Sequence, residues 1–207
     1  CIMSQVPRVN VPVSLLKKLL VTLGEVLAKQ ITWESPFECL VFVSLTTGNL
    51  GDDYANWKLY ELRFRAAKAK QSLFAFLKQK LQQGAFNTLI RNLALGRNER
   101  LALESAIRIA TNYQVLTKRR GHPDPNLSSN IAHFYNQLLG SPGFGPQTAF
   151  WFICELHRVW CYPMPPASII SIPQTFVDRL RQFNLTPQMF TPEEWPYADL
   201  ALWHLLR

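Results

Sequence analysis

The chain has 207 residues, of which 48% are hydrophobic, 12% aromatic and 17% charged. This composition excludes an acidic disordered chain and a low-complexity polymer, and the length suits one large unit with a substantial core. The 22 Lys and Arg residues outnumber the 14 Asp and Glu residues, giving a net charge of +8. A polyanionic partner is therefore favoured, with nucleic acid ahead of an anionic membrane surface.

Apolar residues recur at helical spacing, and no run alternates with the period of a strand. We therefore expect an all-α protein. The predicted helices are 14–29, one beginning at 35–38 that runs through the core, one beginning at 52–53, then 68–81, 98–116, 129–139, 147–159, 174–183 and 192–206. The basic, turn-rich segment 117–130 is interpreted as the interior linker of a single unit, 1–207, built from two interleaved helical lobes. No apolar run approaches the roughly 18 residues of a membrane span. We expect a soluble cytoplasmic protein without a membrane partner, nucleoid-associated in a prokaryote.

A glycine-rich turn separates two of the predicted helices. Gly140, Gly143 and Gly145 allow a tight turn whose backbone amides can approach a phosphate, aided by the positive end of the helix that begins near Gln147. Such a contact would hold the DNA backbone without reading bases. An ordinary helix-to-helix turn is the alternative.

Segment 141–149, SPGFGPQTA, resembles the L-P-G-[VI]-G-x-K-T-A hairpin of the helix-hairpin-helix DNA glycosylase superfamily. Segment 35–41 is similar to the P-F-E-x-L-V opening of that fold's core helix, and 172–180 to its [IV]-P-[ILV]-D-x-R-V-x-x-L segment. Four shorter matches, at 44–54, 98–101, 162–164 and 199–203, resemble the archaeal-type 8-oxoguanine glycosylases. The resemblance implies a two-lobed, all-α glycosylase fold with a helix-hairpin-helix motif. Cys154 and Cys161 are not followed by a C-x2-C, so we expect no iron–sulfur cluster. The histidines show no H-x3-H or H-E-x-x-H spacing, so we expect no metal site, and we expect no cofactor.

The resemblance also implies where the chemistry would occur. Gln147 stands where the family has the lysine that forms a Schiff base. Gln174 stands where it has an aspartate, and an alternative gap placement puts Pro173 there. An amide nitrogen is not nucleophilic, so lyase chemistry at Gln147 is not available. Asp178, one turn beyond Gln174, is a second candidate for a catalytic carboxylate, and a surface helix charge is the alternative. Phe144 and Thr148 complete the hairpin that would contact DNA.

A base pocket is implied as well. Thr46 falls at the position of the family's base-reading glutamine, and Trp151 at that of a pocket aromatic residue. Asp199 and Trp203 keep the family's spacing on one helical face, although both tryptophans could be plain core. The basic run Lys118, Arg119 and Arg120 could contact phosphates, or it could be a solvated face, as could the second cluster at 63–70.

We expect a monomeric protein that binds double-stranded DNA, including lesion-containing duplexes, and whose base-excision chemistry is lost or altered. The alternative is an active monofunctional DNA N-glycosylase for a modified base in base excision repair, with Asp178 or Asp199 supplying charge. A protein-interaction scaffold, in which the glycine-rich segment is only a turn, is the third hypothesis.

Overall fold

The computed structural model describes residues 11–48, 51–119 and 123–206. Within these ranges the chain forms eleven α-helices and no β-strand, which confirms the all-α prediction. The helices are α1 (Val13–Ala28), α2 (Pro36–Leu45), α3 (Asp52–Lys68), α4 (Leu73–Gln82), α5 (Phe86–Asn92), α6 (Arg97–Asn112), α7 (Pro125–Ser129), α8 (Ile131–Leu139), α9 (Pro146–Trp160), α10 (Gln174–Arg181) and α11 (Trp195–Leu205). None of the helices in these ranges combines the length and the apolar character that crossing a bilayer requires.

Helix α2 begins as its sequence predicts. The Ser35 hydroxyl accepts a hydrogen bond from the Glu38 amide at 3.3 Å, and Pro36 occupies the first helical position, where its missing N–H costs nothing. The Glu38 carboxylate accepts from the amide of Glu34 at 2.7 Å and also pairs with Arg63. These bonds fix the point at which the chain enters the core.

Helix α2 is buried along nearly its whole length because it carries apolar residues on all sides. It contacts α3 and α6 and also α9, while α11 packs on both α1 and α9. The closest approach of α1 to α11 occurs at Gly24, where an added Cβ would lie 2.0 Å from the carbonyl oxygen of Tyr197. Only a glycine at this position allows the two backbones to pack so closely.

Three segments differ from the sequence-based expectations. Helix α5 was not predicted, since its seven residues fall in a short stretch between glycines. Helix α6 ends at Asn112, and the chain continues as a 3-10 turn over Gln114–Thr117. The described part of the predicted linker, 117–119 and 123–130, contains helix α7, whose Leu127 is buried and whose first turn is capped by Asp124.

Candidate functional site

The turn between α8 and α9 is pressed against α6. Gly143 has a φ of +86°, and a Cβ added to it would lie 2.4 Å from the backbone nitrogen of Ala102. The Ser105 hydroxyl donates a hydrogen bond to the Pro142 carbonyl at 2.8 Å. The packing of the turn therefore accounts for the glycine at 143 without any ligand.

Packing of the turn does not require a glycine at position 145. A Cβ added to Gly145 would meet nothing within 4 Å, and its extended backbone is one that any residue adopts. Its amide donates to the Thr148 hydroxyl at 2.9 Å, which closes the start of α9. Gln147 follows on the exposed first turn, Phe144 is buried beneath the turn, and Gly140 ends α8 in an ordinary helical conformation. The open side of the turn is thus at Gly145 and Gln147.

One helical turn beyond Gln147, Trp151 begins the wall of a cavity of about 110 Å³. Its indole Nε1–H donates to Asp199 Oδ2 at 3.2 Å, and its ring lies edge-on to that of Trp203, with 5.1 Å between the ring centroids. All three side chains line the cavity. A cavity of about 150 Å³ holds a benzene ring, so this space is somewhat smaller than a closed cavity around one aromatic ring.

Four further residues of this region were not found from the sequence. Trp33 donates its indole N–H to Glu155 Oε2 at 3.1 Å, and Glu155 also pairs with the buried guanidinium of Arg158. Arg179 lies with its guanidinium carbon 4.9 Å from the centroid of the Trp203 ring. Glu155 is spaced one turn from Trp151, a periodic signal that could have identified it. Arg158 lies two turns from Trp151 on the same helix and carries the same signal, whereas the positions of Trp33 and Arg179 depend on tertiary packing alone.

Asp199 is buried, and both of its oxygens have a donor. Oδ2 accepts from Trp151, and Oδ1 lies 3.3 Å from a guanidinium nitrogen of Arg179. Burial raises the pKa of the Asp199 carboxyl, and this effect outweighs the attraction of Arg158 and Arg179, which favours the charged form. The carboxyl is therefore harder to ionise than an exposed aspartate, despite its two cationic neighbours.

Gln174 and Asp178 lie together on the exposed face of α10. The Gln174 amide donates to Asp178 Oδ1 at 2.8 Å, and Arg181 lies 3.3 Å from the same oxygen. Neither Gln174 nor Asp178 belongs to the cavity wall. Helix α10 instead directs Arg179 towards Asp199.

Thr46 does not reach the cavity. Its hydroxyl donates to the carbonyl of Val43 at 2.7 Å, and Phe42 and Val43 supply the wall on α2. Lys118 and Arg119 are both exposed, and Arg119 lies 3.7 Å from a carboxylate oxygen of Glu34. Arg120 lies outside the described residues.

In the part of the chain that the structure describes, no group of three or more His, Cys, Asp or Glu side chains could hold a metal ion. Comparisons of the chain with protein-family models, with curated proteins and with solved structures found no match.

Proposed function

We propose that this chain is a DNA-binding protein of the helix-hairpin-helix DNA glycosylase superfamily, with a two-lobed fold, and that its base-excision chemistry is lost or altered. The observation that carries the proposal is the meeting of Trp151, Asp199 and Trp203 around one cavity. The resemblance selected all three positions. Trp151 and Asp199, which share a hydrogen bond, are 48 residues apart in the chain. Their clustering supports a pocket for a planar, extruded base.

The free N–H groups at the N-terminus of α9 support the proposed contact with the DNA backbone. The first amides of an α-helix have no partner within the helix, and they carry the positive end of its dipole. Pro146 has no N–H to donate, so the N–H groups of Gln147 and Thr148 are the ones that a phosphate would meet at this end of α9. Gly145 leaves open space beside them. The net charge of +8 favours the same polyanionic partner.

The two amides at the catalytic positions support loss of the lyase step. Attack on the sugar requires an amine, which Gln147 does not have. The positive charge that develops on the sugar requires a compensating negative charge, and Gln174 is neutral. Its amide is bound to Asp178 on the protein surface instead.

One observation favours the alternative, an active monofunctional glycosylase for a modified base. Three carboxylates, those of Asp52, Glu155 and Asp199, line the cavity, and a carboxylate can orient a water molecule or stabilise the sugar cation. Glu155 and Asp199 are already engaged by indole and guanidinium donors. Catalysis through Asp199 would require its Arg179 partner to move away.

Duplex binding tests the proposal. A fluorescein-labelled 20-base-pair duplex is titrated at low ionic strength with the wild-type protein and with Gly145→Ala, and anisotropy is recorded. We expect binding that weakens as salt rises, with a log–log slope proportional to the number of phosphates contacted. Gly145→Ala is expected to bind less tightly, while its circular dichroism spectrum is unchanged. Absence of binding to any duplex at low salt would refute the proposal.

A further inference from the structure

Three aromatic side chains stand exposed on one face of α3. Trp57, Tyr60 and Phe64 are 57%, 67% and 61% exposed, and we call these three residues the aromatic stripe. Spacings of three and four residues place them in one row along the helix. The rings are the most exposed aromatic side chains among the described residues. A contiguous exposed apolar row of this kind marks an interaction site.

The spacing of the rings distinguishes single-stranded from duplex DNA. At a rise of about 1.5 Å per residue, Tyr60 follows Trp57 by about 4.5 Å along the axis, and Phe64 follows Tyr60 by about 6 Å. Bases in a duplex strand are about 3.4 Å apart and stacked on one another, so a duplex cannot offer one base to each ring. An extended single strand with unstacked bases can.

The ring of Trp57 is held from one side. The Lys58 ammonium lies 3.9 Å from the Trp57 ring centroid and 5.2 Å from that of Tyr54, and Lys58 is buried. Such a cation–π contact restricts the indole orientation. The ring is therefore positioned in advance for a partner that stacks on its exposed surface.

Cations lie at the C-terminal end of the stripe. Lys68 is exposed one turn after Phe64, and no carboxylate of the described chain forms an ion pair with it. A groove of about 700 Å³ runs beside Phe64 and is also lined by Lys68 and Lys80. Glu61 supplies a carboxylate to the lining of this groove, and that carboxylate is paired with Arg65 at 2.7 Å. The groove thus carries an excess of positive charge, which complements a phosphate backbone.

We propose that the aromatic stripe binds single-stranded DNA, with bases stacked on the three rings and phosphates beside Lys68 and Lys80. Aromatic rings in a row next to basic side chains are the combination that binds single strands without sequence preference. This site is separate from the proposed duplex-binding site at the N-terminus of α9 and does not depend on it. An acidic segment of a partner protein would be drawn to the same charges, but it would not quench Trp57 by base stacking.

The test is a titration of the full chain with a 20-nucleotide thymidine oligonucleotide, followed by tryptophan emission. We expect quenching on binding. Trp57→Phe keeps a ring but removes most of the quenching, whereas Trp57→Ala, Tyr60→Ala and Phe64→Ala each weaken binding by about fivefold or more. Because these side chains are exposed, the variants should fold. Leu19→Ala removes an exposed apolar side chain from α1 and serves as the matched control.

Charge is tested in the same assay. Lys68→Gln should reduce the log–log salt slope for the oligonucleotide by about 0.7. Any one of four results would overturn the proposal. The tryptophan emission is not quenched, or the three alanine variants bind the oligonucleotide as tightly as the wild type. Alternatively, Leu19→Ala loses as much affinity as those variants, or a uridine ribo-oligonucleotide binds more tightly than the thymidine strand. A 20-base-pair duplex is titrated in parallel. A duplex that fails to bind while the thymidine strand still quenches would count against the proposed function and leave this inference standing.

Discussion

Trp151 and Asp199 are joined by a hydrogen bond of 3.2 Å from the indole Nε1 to Oδ2, so that α9 and α11 meet in the wall of one cavity. The bond uses one oxygen of a buried carboxylate, and Arg179 takes the other. The pair therefore fixes the orientation of the Trp151 ring, and it holds a carboxyl in a place where ionisation is costly.

The first prediction concerns this carboxyl. Its pKa is raised in the folded protein from an ordinary value of 3.8, so between the two pKa values the folded state binds more protons than the unfolded state. The free energy of unfolding should consequently fall as the pH rises through the folded pKa. The asparagine side chain of Asp199→Asn does not ionise, so the free energy of unfolding of this variant should fall less over the same pH range.

Urea unfolding between about pH 4 and pH 7 measures the effect. Asp53→Asn, at an exposed position on α3, is the matched control for removal of an aspartate. A decline in Asp199→Asn as steep as in the wild type would show that Asp199 is not its source.

The second prediction concerns the α1–α11 contact. Gly24→Ala should lower the free energy of unfolding by about 3 kcal/mol, because the new Cβ would meet the backbone carbonyl of Tyr197, which cannot rotate away. At Gly140 an added Cβ would make only ordinary contacts, the nearest at 3.5 Å. Gly140→Ala is therefore the control, expected within about 0.5 kcal/mol of the wild type. Equal stability of the two variants in urea would contradict this packing.

A third prediction separates the structural glycine of the turn from the open one. Gly143→Ala should lower the free energy of unfolding by about 3 kcal/mol, since it combines a φ of +86° with a clash against Ala102. Gly145→Ala should unfold near the wild-type midpoint but bind duplex DNA about tenfold more weakly, as expected for a lost contact to a charged phosphate. If Gly145→Ala bound duplexes as tightly as the wild type, the turn would not contact the DNA backbone.

The sequence predicted the helices whose ends are marked locally. The cap at Ser35 and the aspartates that open α3 depend on neighbouring residues only, so they can be recognised without a fold. Helix α5 was missed because seven residues carry too little periodicity, and Gln114–Thr117 looked like a continuation of α6 because a 3-10 turn has nearly the same apolar spacing.

The resemblance selected some of the residues that the structure brings together at the cavity. Trp151, Asp199 and Trp203 were selected by resemblance, and they share one cavity. Trp33 was not selected, since its bond to Glu155 spans 122 residues and leaves no local pattern. Trp57 falls within the helix predicted to begin at 52–53, but periodicity cannot tell whether an aromatic face is buried by other helices or left in solvent.

The fourth prediction concerns the two amides. Gln147→Lys alone should give no borohydride-trapped complex with a duplex that holds 8-oxoguanine, because positive charge develops on the sugar as the base departs and the neutral Gln174 supplies no counter-charge. Gln147→Lys combined with Gln174→Asp supplies both the amine and the carboxylate, and it should trap measurably. Trapping by the single variant would contradict the role assigned to position 174.

The most direct test of the central claim is a single-turnover assay on end-labelled duplexes that hold 8-oxoguanine, uracil, hypoxanthine, 3-methyladenine or an abasic site, with binding recorded in parallel. We expect salt-dependent binding to duplexes and no alkali-dependent cleavage at the first four lesions. Cleavage at one of them, abolished by Asp199→Asn, would establish the monofunctional glycosylase instead. Failure to bind any of the five duplexes at low salt would contradict the proposed function.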